Sequence, residues 1–376
     1  MLLIPEPRKI KKLEGICPFR IEPVVELNSK DLPPQGYRLT IEPSRIRIEA
    51  YDSAGEYYAR QTLRQIADQS EDPGMDCVRI EDWPDFSIRG YMLDISRDKV
   101  PTTDHLHRLV DTLSALRYNQ LQLYTEHTFA YAGHETVWGT ASPMKAEEIE
   151  ALDVYCRDRF IELVPNQNSF GHMERWLKHA EYHYLAECPD GFDHPLGGRR
   201  EFGSVLKPNE ESLQFVSELY AELLPHFSSK KFNVGGDEPW ELGQGWSAPL
   251  VEAEGKMTVY ARFLSRVCEL ANQHGCEPMC WADILLEEPD RISELPENVT
   301  PIIWGYEANH PFDRQCDVIG GLDRPFYVAP GDSSWNSFTG RLRNMLENVR
   351  SAARHALRHK ATGLIMTHWG DNGHPQ

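Results

Sequence analysis

The sequence predicts an α/β fold: a (β/α)8 barrel over residues 85–376, preceded by a small α/β domain over residues 1–84. Two patterns carry this expectation. Before residue 85, polar and apolar residues alternate with the period of half-buried strands around one helical stretch. From Arg89 onward, eight short apolar runs are separated by segments of helical spacing, as in a parallel sheet covered by helices. The rival, a doubly wound open sheet, calls for a glycine-rich loop after its first strand; LDISRDK (93–99) offers none.

In the first domain, RLTIEP (38–43) and RIRIEAY (45–51) alternate across a Pro43–Ser44 turn and read as a hairpin. Ser53 then precedes a helical stretch in which Tyr57, Tyr58, Ala59, Leu63, Ile66 and Ala67 fall largely on one face. CVRIEDWP (77–84) returns as a strand, with turns at 71–75 and 81–85.

The eight barrel runs are GYMLDI (90–95), NQLQLY (119–124), FIELVPN (160–166), KFNVGG (231–236), EPMCWA (277–282), TPIIWG (300–305), PFYVAP (325–330) and TGLIMTHW (362–369). Between the first two, Leu106, Leu109, Val110, Leu113 and Leu116 recur at helical spacing behind a Thr103–Asp104 start. Tyr260, Phe263, Leu264, Val267, Cys268 and Ala271 do the same, with Gly275 suited to the position just past the helix. After the eighth run only seven residues remain, so the last barrel helix is expected to be missing. Either the native polypeptide continues, or self-association as a homo-oligomer covers the apolar surface such a helix would hide.

The chain has 376 residues with 40% hydrophobic and 26% charged, enough apolar content for a sizeable core. Its net charge of −19 repels phosphate backbones, so no nucleic-acid partner is expected. No run approaches the ~18 apolar residues of a membrane span, and the start shows no signal peptide. The expectation is a cytoplasmic protein. Eight cysteines are too sparse for a disulfide scaffold and read as buried thiols. His274, Cys276 and Cys280 lack a fourth ligand, so neither a metal nor another cofactor is expected.

Barrel chemistry sits at the C-terminal ends of the strands. There the sequence places Glu126 and His127, His172, Asp237 and Glu238, Trp281 and Asp283, Trp304 and Tyr306, Trp335, Trp369 and Asp371. This rim is rich in tryptophan and carboxylate and poor in lysine. Flat aromatic faces pack on the apolar side of a sugar and carboxylates bind its hydroxyls, so a carbohydrate site is expected. Asp237–Glu238 is the sharpest candidate: after Gly235 and Gly236 the backbone can turn both carboxylates into the barrel mouth, and a carboxylic acid among tryptophans can stay protonated as a general acid. The competing reading is a cap for a following helix. Arg97 reads as a salt-bridged strand-end residue and Asp283 as a helix cap.

The motifs RGYMLDISR (89–97), NSFGHMERW (168–176), FNVGGDEPW (232–240), CWAD (280–283) and THWGD (367–371) resemble glycoside hydrolase family 20, the β-N-acetylhexosaminidases. YTEHTFAY (124–131) and NSFGHM look more like the hexosaminidase D-type branch. The resemblance implies an exo-acting enzyme on amino-sugar glycosides, without cofactor, in which the substrate's own acetamide is the nucleophile. It assigns Glu238 as the acid/base and Asp237 as the carboxylate that orients the acetamido group. It assigns Arg89 to ring hydroxyls, His172 to support of the acid, Trp281, Trp304 and Trp369 to the aromatic walls, and Asp371 to distal hydroxyls. Members of the family often carry a tyrosine after strand seven; here APGDSSW (329–335) stands there, and Tyr306 is the substitute. Glu126 and His127 replace a more familiar double aspartate. A catalytically silent sugar-binding barrel is the alternative, against which the presence of both Asp237 and Glu238 speaks.

Overall fold

The computed structural model describes residues 1–195, 197–322, 324–335 and 337–371, in two compact units. The first unit comprises Met1–Ser87 and Leu109–Asn119; the second comprises Ile88–Arg108 and the chain from Gln120 onward.

The first unit is built on a five-stranded sheet of β1 (Lys9–Cys17), β2 (Pro23–Glu26), β3 (Tyr37–Glu42), β4 (Arg45–Ala50) and β5 (Met75–Asp82), in the order β1-β5-β3-β4-β2. Helix α1 (Ser53–Asp68) begins one residue later than its cap, Asp52, whose Oδ1 accepts the Gly55 N–H at 2.8 Å. Its Tyr58, Ala59, Thr62 and Ile66 are buried, and Tyr58, Ala59 and Ile66 join Leu39, Ile41, Ile46 and Ile48 in one apolar cluster. The two edge strands were not legible in the sequence. In β1 (KIKKLEGIC) most side chains are exposed, and lysines on an edge strand discourage pairing with other chains while blurring the alternation.

Arg117 belongs to this unit for a physical reason. Its guanidinium is buried against the Asp82 carboxylate and donates to Tyr37 Oη at 3.0 Å and Thr62 Oγ1 at 2.6 Å. Removing one partner of a buried pair strands the other charge away from water. Asp82→Ala should therefore destabilise the protein by about 3–5 kcal/mol in chemical denaturation. Asp85→Ala, which breaks the exposed Arg8–Asp85 pair, should cost less than about 1 kcal/mol.

The second unit is the barrel. In chain order it runs β6 (Ile88–Asp94), α2 (Thr103–Ala115), whose residues from Leu109 on are counted with the first unit, β7 (Gln120–Tyr124), α3 (Glu135–Trp138), α4 (Ala146–Arg157) and β8 (Glu162–Val164). An excursion follows: α5 (Glu174–Leu177), a small hairpin of β9 (Phe192–His194) and β10 (Gly198–Arg200), and α6 (Glu210–Leu223). Then come β11 (Lys231–Asn233), α7 (Ala248–Glu254), α8 (Lys256–Gln273), β12 (Glu277–Trp281), β13 (Thr300–Trp304), α9 (Phe312–Gly320), β14 (Tyr327–Ala329), α10 (Leu342–Arg358) and β15 (Gly363–His368). All eight strands foreseen in the sequence are present, pair in parallel, and run β11-β12-β13-β14-β15-β6-β7-β8 around the barrel. A single parallel bridge between Asn166 and Asn233 joins β8 to β11.

The two helices expected from periodicity form, and Gly275 takes φ +78° just beyond α8. The connection between β12 and β13 holds only a 3-10 turn (Pro289–Glu294), because Pro289 and Pro296 interrupt any longer helix. Among the described residues no helix follows β15, and the segment 372–376 lies outside them. Met92, Tyr124, Val164, Met279, Ile302, Tyr327 and Ile365 fill the barrel interior, with Trp281 and Trp369 above them toward the strand ends. All eight cysteines are buried and unpaired. No helix among the described residues is long and apolar enough to cross a membrane.

Candidate active site

The site is organised by the way the chain leaves β11. The strand ends at Asn233, and Gly235 and Gly236 both take left-handed conformations, φ +77° and +93°. At Gly235 a Cβ would stand 2.2 Å from Asn168 Oδ1, so only glycine fits the turn. The Tyr260 hydroxyl on α8 donates to the Gly236 carbonyl at 2.7 Å. Glu238 is itself left-handed, φ +48°, a strained state for a residue with a side chain. Adjacent residues on a strand face opposite ways; this turn brings Asp237 and Glu238 to the same cavity. The sequence left open a helix cap here, but no helix begins until Ala248.

His172 joins the two carboxylates. Its Nε2 lies 3.2 Å from Asp237 Oδ2 and 3.5 Å from Glu238 Oε2. It too is left-handed, φ +57°, and Gly171 before it approaches so closely that a Cβ would meet the Asp237 carbonyl at 2.5 Å. Burial works against a charged imidazole, but the Asp237 carboxylate beside it, through charge and hydrogen bond, raises its pKa to about 10. At neutral pH this favours an imidazolium paired with Asp237, against the Arg97 guanidinium, whose Nη2 lies 3.4 Å from His172 Nδ1 and whose charge acts to lower the pKa. Burial raises the Glu238 pKa; the His172 charge pulls it down and the Asp237 charge pushes it up again. A half-buried carboxyl whose pKa is raised in this way is suited to act as a general acid.

Arg97, just past β6, lines the same cavity. Its guanidinium pairs with Asp94 at 3.3 Å and with Glu126 at 3.1 Å, and lies over the Tyr124 and Trp369 rings at 4.5 and 4.8 Å. Its place at the strand end and its salt bridges were expected from the sequence; that its guanidinium also lines the cavity was not. Arg89 requires the opposite correction. It is the second residue of β6, in register with Leu364 near the start of β15, and so sits at the N-terminal end of the barrel, away from the cavity. The signal was available: eight residues along a strand and its following turn separate one end of a barrel from the other.

Glu126 and His127 also need correction as sugar contacts, since neither lines the cavity. Glu126 lies behind Arg97, where it also accepts from Tyr124 Oη at 2.9 Å. Burial raises its pKa to about 7 despite the Arg97 charge. His127 is buried beside it, and burial, then Arg175 and Lys178, depress its pKa to about 4.

The remaining walls are aromatic. Trp281, Trp304, Tyr306, Trp335 and Trp369 surround a cavity of ≈ 220 Å³, with Asp371 at its edge. Trp304 stacks on Tyr306 at 5.2 Å and 21°, Trp335 meets Tyr306 edge-on at 4.9 Å, and Trp369 lies 6.1 Å from Trp281. A second cavity of ≈ 540 Å³ opens from the first past Glu238 and is lined by Phe192, Phe202, Trp240, Arg199 and Arg200, among others. The sequence reading had no view of it, because the excursion carrying its hairpin has no barrel periodicity.

Residues 86–365 match the glycosyl hydrolase family 20 catalytic domain, and residues 19–83 match domain 2 of the same family. The chain belongs to glycosyl hydrolase family 20. It is 26% identical over 316 residues to a beta-hexosaminidase of Akkermansia muciniphila, covering 74% of this chain and 61% of that protein. It is 26% identical over 234 residues to human hexosaminidase D, covering 60% of this chain and 46% of that protein. The chain thus spans less than two thirds of these relatives. Its fold matches a β-N-acetylhexosaminidase from Bacteroides fragilis with a TM-score of 0.79 at 20% identity, over 99% of this chain and 86% of that one.

The imidazolium has a measurable consequence. A histidine raised from 6.5 to about 10 contributes stability that is fully present below pH ~6.5 and is lost as pH rises through about 10. His172→Gln lacks that contribution. Thermal unfolding of both proteins between pH 6 and 10 should show a gap in Tm that narrows toward pH 10; a constant gap would contradict the charged imidazole.

Proposed function

We propose that this chain is an exo-acting β-N-acetylhexosaminidase that removes terminal N-acetylglucosamine or N-acetylgalactosamine with retention, through substrate assistance. The observation that carries the reading is the pair Asp237–Glu238, joined by His172 inside a cavity walled by aromatic rings. Its size suits one amino-sugar ring, and Asp371 at its edge would take hydroxyls distal to the bond that breaks. The ring-hydroxyl role expected of Arg89 passes to Arg97, which faces the cavity.

In the first step the acetamide carbonyl oxygen of the sugar bonds to the anomeric carbon, and the glycosidic C–O bond breaks. The Glu238 proton goes to the departing oxygen. Asp237 accepts the acetamide N–H, holds the oxygen near the anomeric carbon and balances the positive charge of the cyclised oxazolinium ion. Tyr306 donates to the acetamide oxygen. In the second step water attacks the anomeric carbon, its proton goes to the Glu238 carboxylate, and the acetamide re-forms. No enzyme carboxylate becomes a covalent nucleophile, the exception to the usual pair of carboxylates.

The larger cavity past Glu238 lies where the leaving group must go, and Trp240 and Phe202 offer flat faces for an aglycone sugar. Eight unpaired buried thiols fit a reducing compartment, and we place the enzyme in the cytoplasm.

Two experiments test the reading. Glu238→Gln keeps the shape and removes the transferable proton, so hydrolysis of substrates with poor leaving groups should fall by ~10²–10⁴-fold. Activated nitrophenyl glycosides should lose much less; equal losses would contradict the acid role. Separately, a nitrophenyl β-glucoside, which carries a hydroxyl in place of the acetamide, should be cleaved at least ~10³-fold more slowly than the N-acetylglucosaminide. Equal rates, or a sugar–carboxylate ester trapped on the protein, would rule out substrate assistance.

A further inference from the structure

We propose that Asp283 is a positioning residue of this site: a neutral carboxylic acid that accepts the backbone N–H of Glu238 and holds the acid in its left-handed conformation. Asp283 follows Trp281 by two residues at the end of β12 and does not line the cavity. Its Oδ2 accepts the Glu238 N–H at 3.2 Å. Glu238 occupies φ +48°, which persists only where the surroundings enforce it. On the other side of the same residue, the Glu238 carbonyl accepts the Trp240 N–H at 2.7 Å. The acid is therefore pinned through its backbone at both ends, and Asp283 supplies the one side-chain anchor among these contacts.

The neutral state follows from what surrounds the carboxyl. The residue as a whole is half-buried, yet its Oδ1 is shielded from solvent and has no partner among the described residues. The titratable groups that act on it or feel it are Asp237 and Glu238 on the β11 loop, Cys280 on its own strand and Tyr260 on α8. None is a cation, and among the described residues Asp283 forms no ion pair. The Glu238 N–H, and after it the Trp304 indole N–H, favour its charged form. Burial first, and the Asp237 charge second, raise its pKa to about 7. Asp237, by contrast, faces the His172 imidazolium. Asp283 thus holds a proton up to about pH 7, while the Asp237 carboxyl is turned to His172, beside the place where the oxazolinium ion would form. The roles of Asp237 beside the oxazolinium ion and of Glu238 as acid rest on the hexosaminidase reading.

The test uses the full chain, with nitrophenyl N-acetyl-β-glucosaminide as substrate. Asp283→Ala removes the anchor and should lower kcat by ~10–100-fold, with KM changed far less. Asp283→Asn keeps a neutral acceptor of the same shape and should restore most of that loss. Wild-type kcat in Asp283→Ala overturns the positioning role; an Asn variant as poor as the Ala variant overturns the neutral state. Infrared difference spectra of wild type against Asp283→Asn add a readout independent of turnover and of the Ala variant's folding. They should show one extra protonated-carboxyl band below pH ~6 that fades as pH rises through about 7. Absence of that band overturns the proposal. Should the wild type hydrolyse no N-acetylhexosaminide, the activity reading falls, while the infrared result still decides the protonation of Asp283.

Discussion

Consecutive carboxylates share one cavity only if the backbone between them abandons the strand path, and everything at this barrel's mouth depends on that departure. Gly235, Gly236 and Glu238 are all left-handed, and each is held by a neighbour: Asn168 crowds Gly235, Tyr260 binds the Gly236 carbonyl, and Asp283 binds the Glu238 N–H. Strain at Glu238 is tolerable because these contacts leave the loop no cheaper path. His172, left-handed itself, is brought to Asp237 by Gly171, which permits the approach of two backbones. A side chain at either glycine would separate the imidazole from the carboxylates.

Charge around that turn is distributed by burial. His172 is held as a cation by Asp237, and Arg97 is held by Asp94 and Glu126. With these two cations engaged, Glu238 and Asp283 have little to offset their desolvation, and both lean toward the protonated state. Burial thus pushes the Glu238 carboxyl in the cavity and the Asp283 carboxyl behind it toward the protonated form, while Asp237 between them is turned to His172. The same division of labour between environments allows acid and charge-stabilising roles to coexist at one pH.

The distribution of polar residues along β6 shows how the barrel separates stability from chemistry. Arg89 at the strand's start and Arg97 past its end lie in one motif, but strand length puts them at opposite ends of the barrel. Glu126 and His127 sit at the right end and still do not line the cavity; Arg97, which pairs with Glu126 and lies over the Trp369 ring, does. Glu126 acts on the site through its ion pair with Arg97.

The sequence by itself determined the barrel strands, two of the covering helices and most of the residues of the cavity wall. Strands buried on both faces are continuous apolar runs, helices repeat at 3.6 residues, and barrel chemistry is confined to strand ends, so Asp237, Glu238, Trp281, Trp304, Tyr306, Trp369 and Asp371 could be named from order alone. The edge strands β1 and β2 were illegible because exposed lysine-rich edges carry no burial pattern. Which arginine meets the cavity, that Glu126 stands one layer behind it, and that Asp283 anchors a strained backbone instead of capping a helix were decided only in three dimensions. Those facts depend on contacts between residues distant in the chain, such as Arg97 with Trp369 and Glu238 with Asp283, and on burial, neither of which any local pattern of residues records.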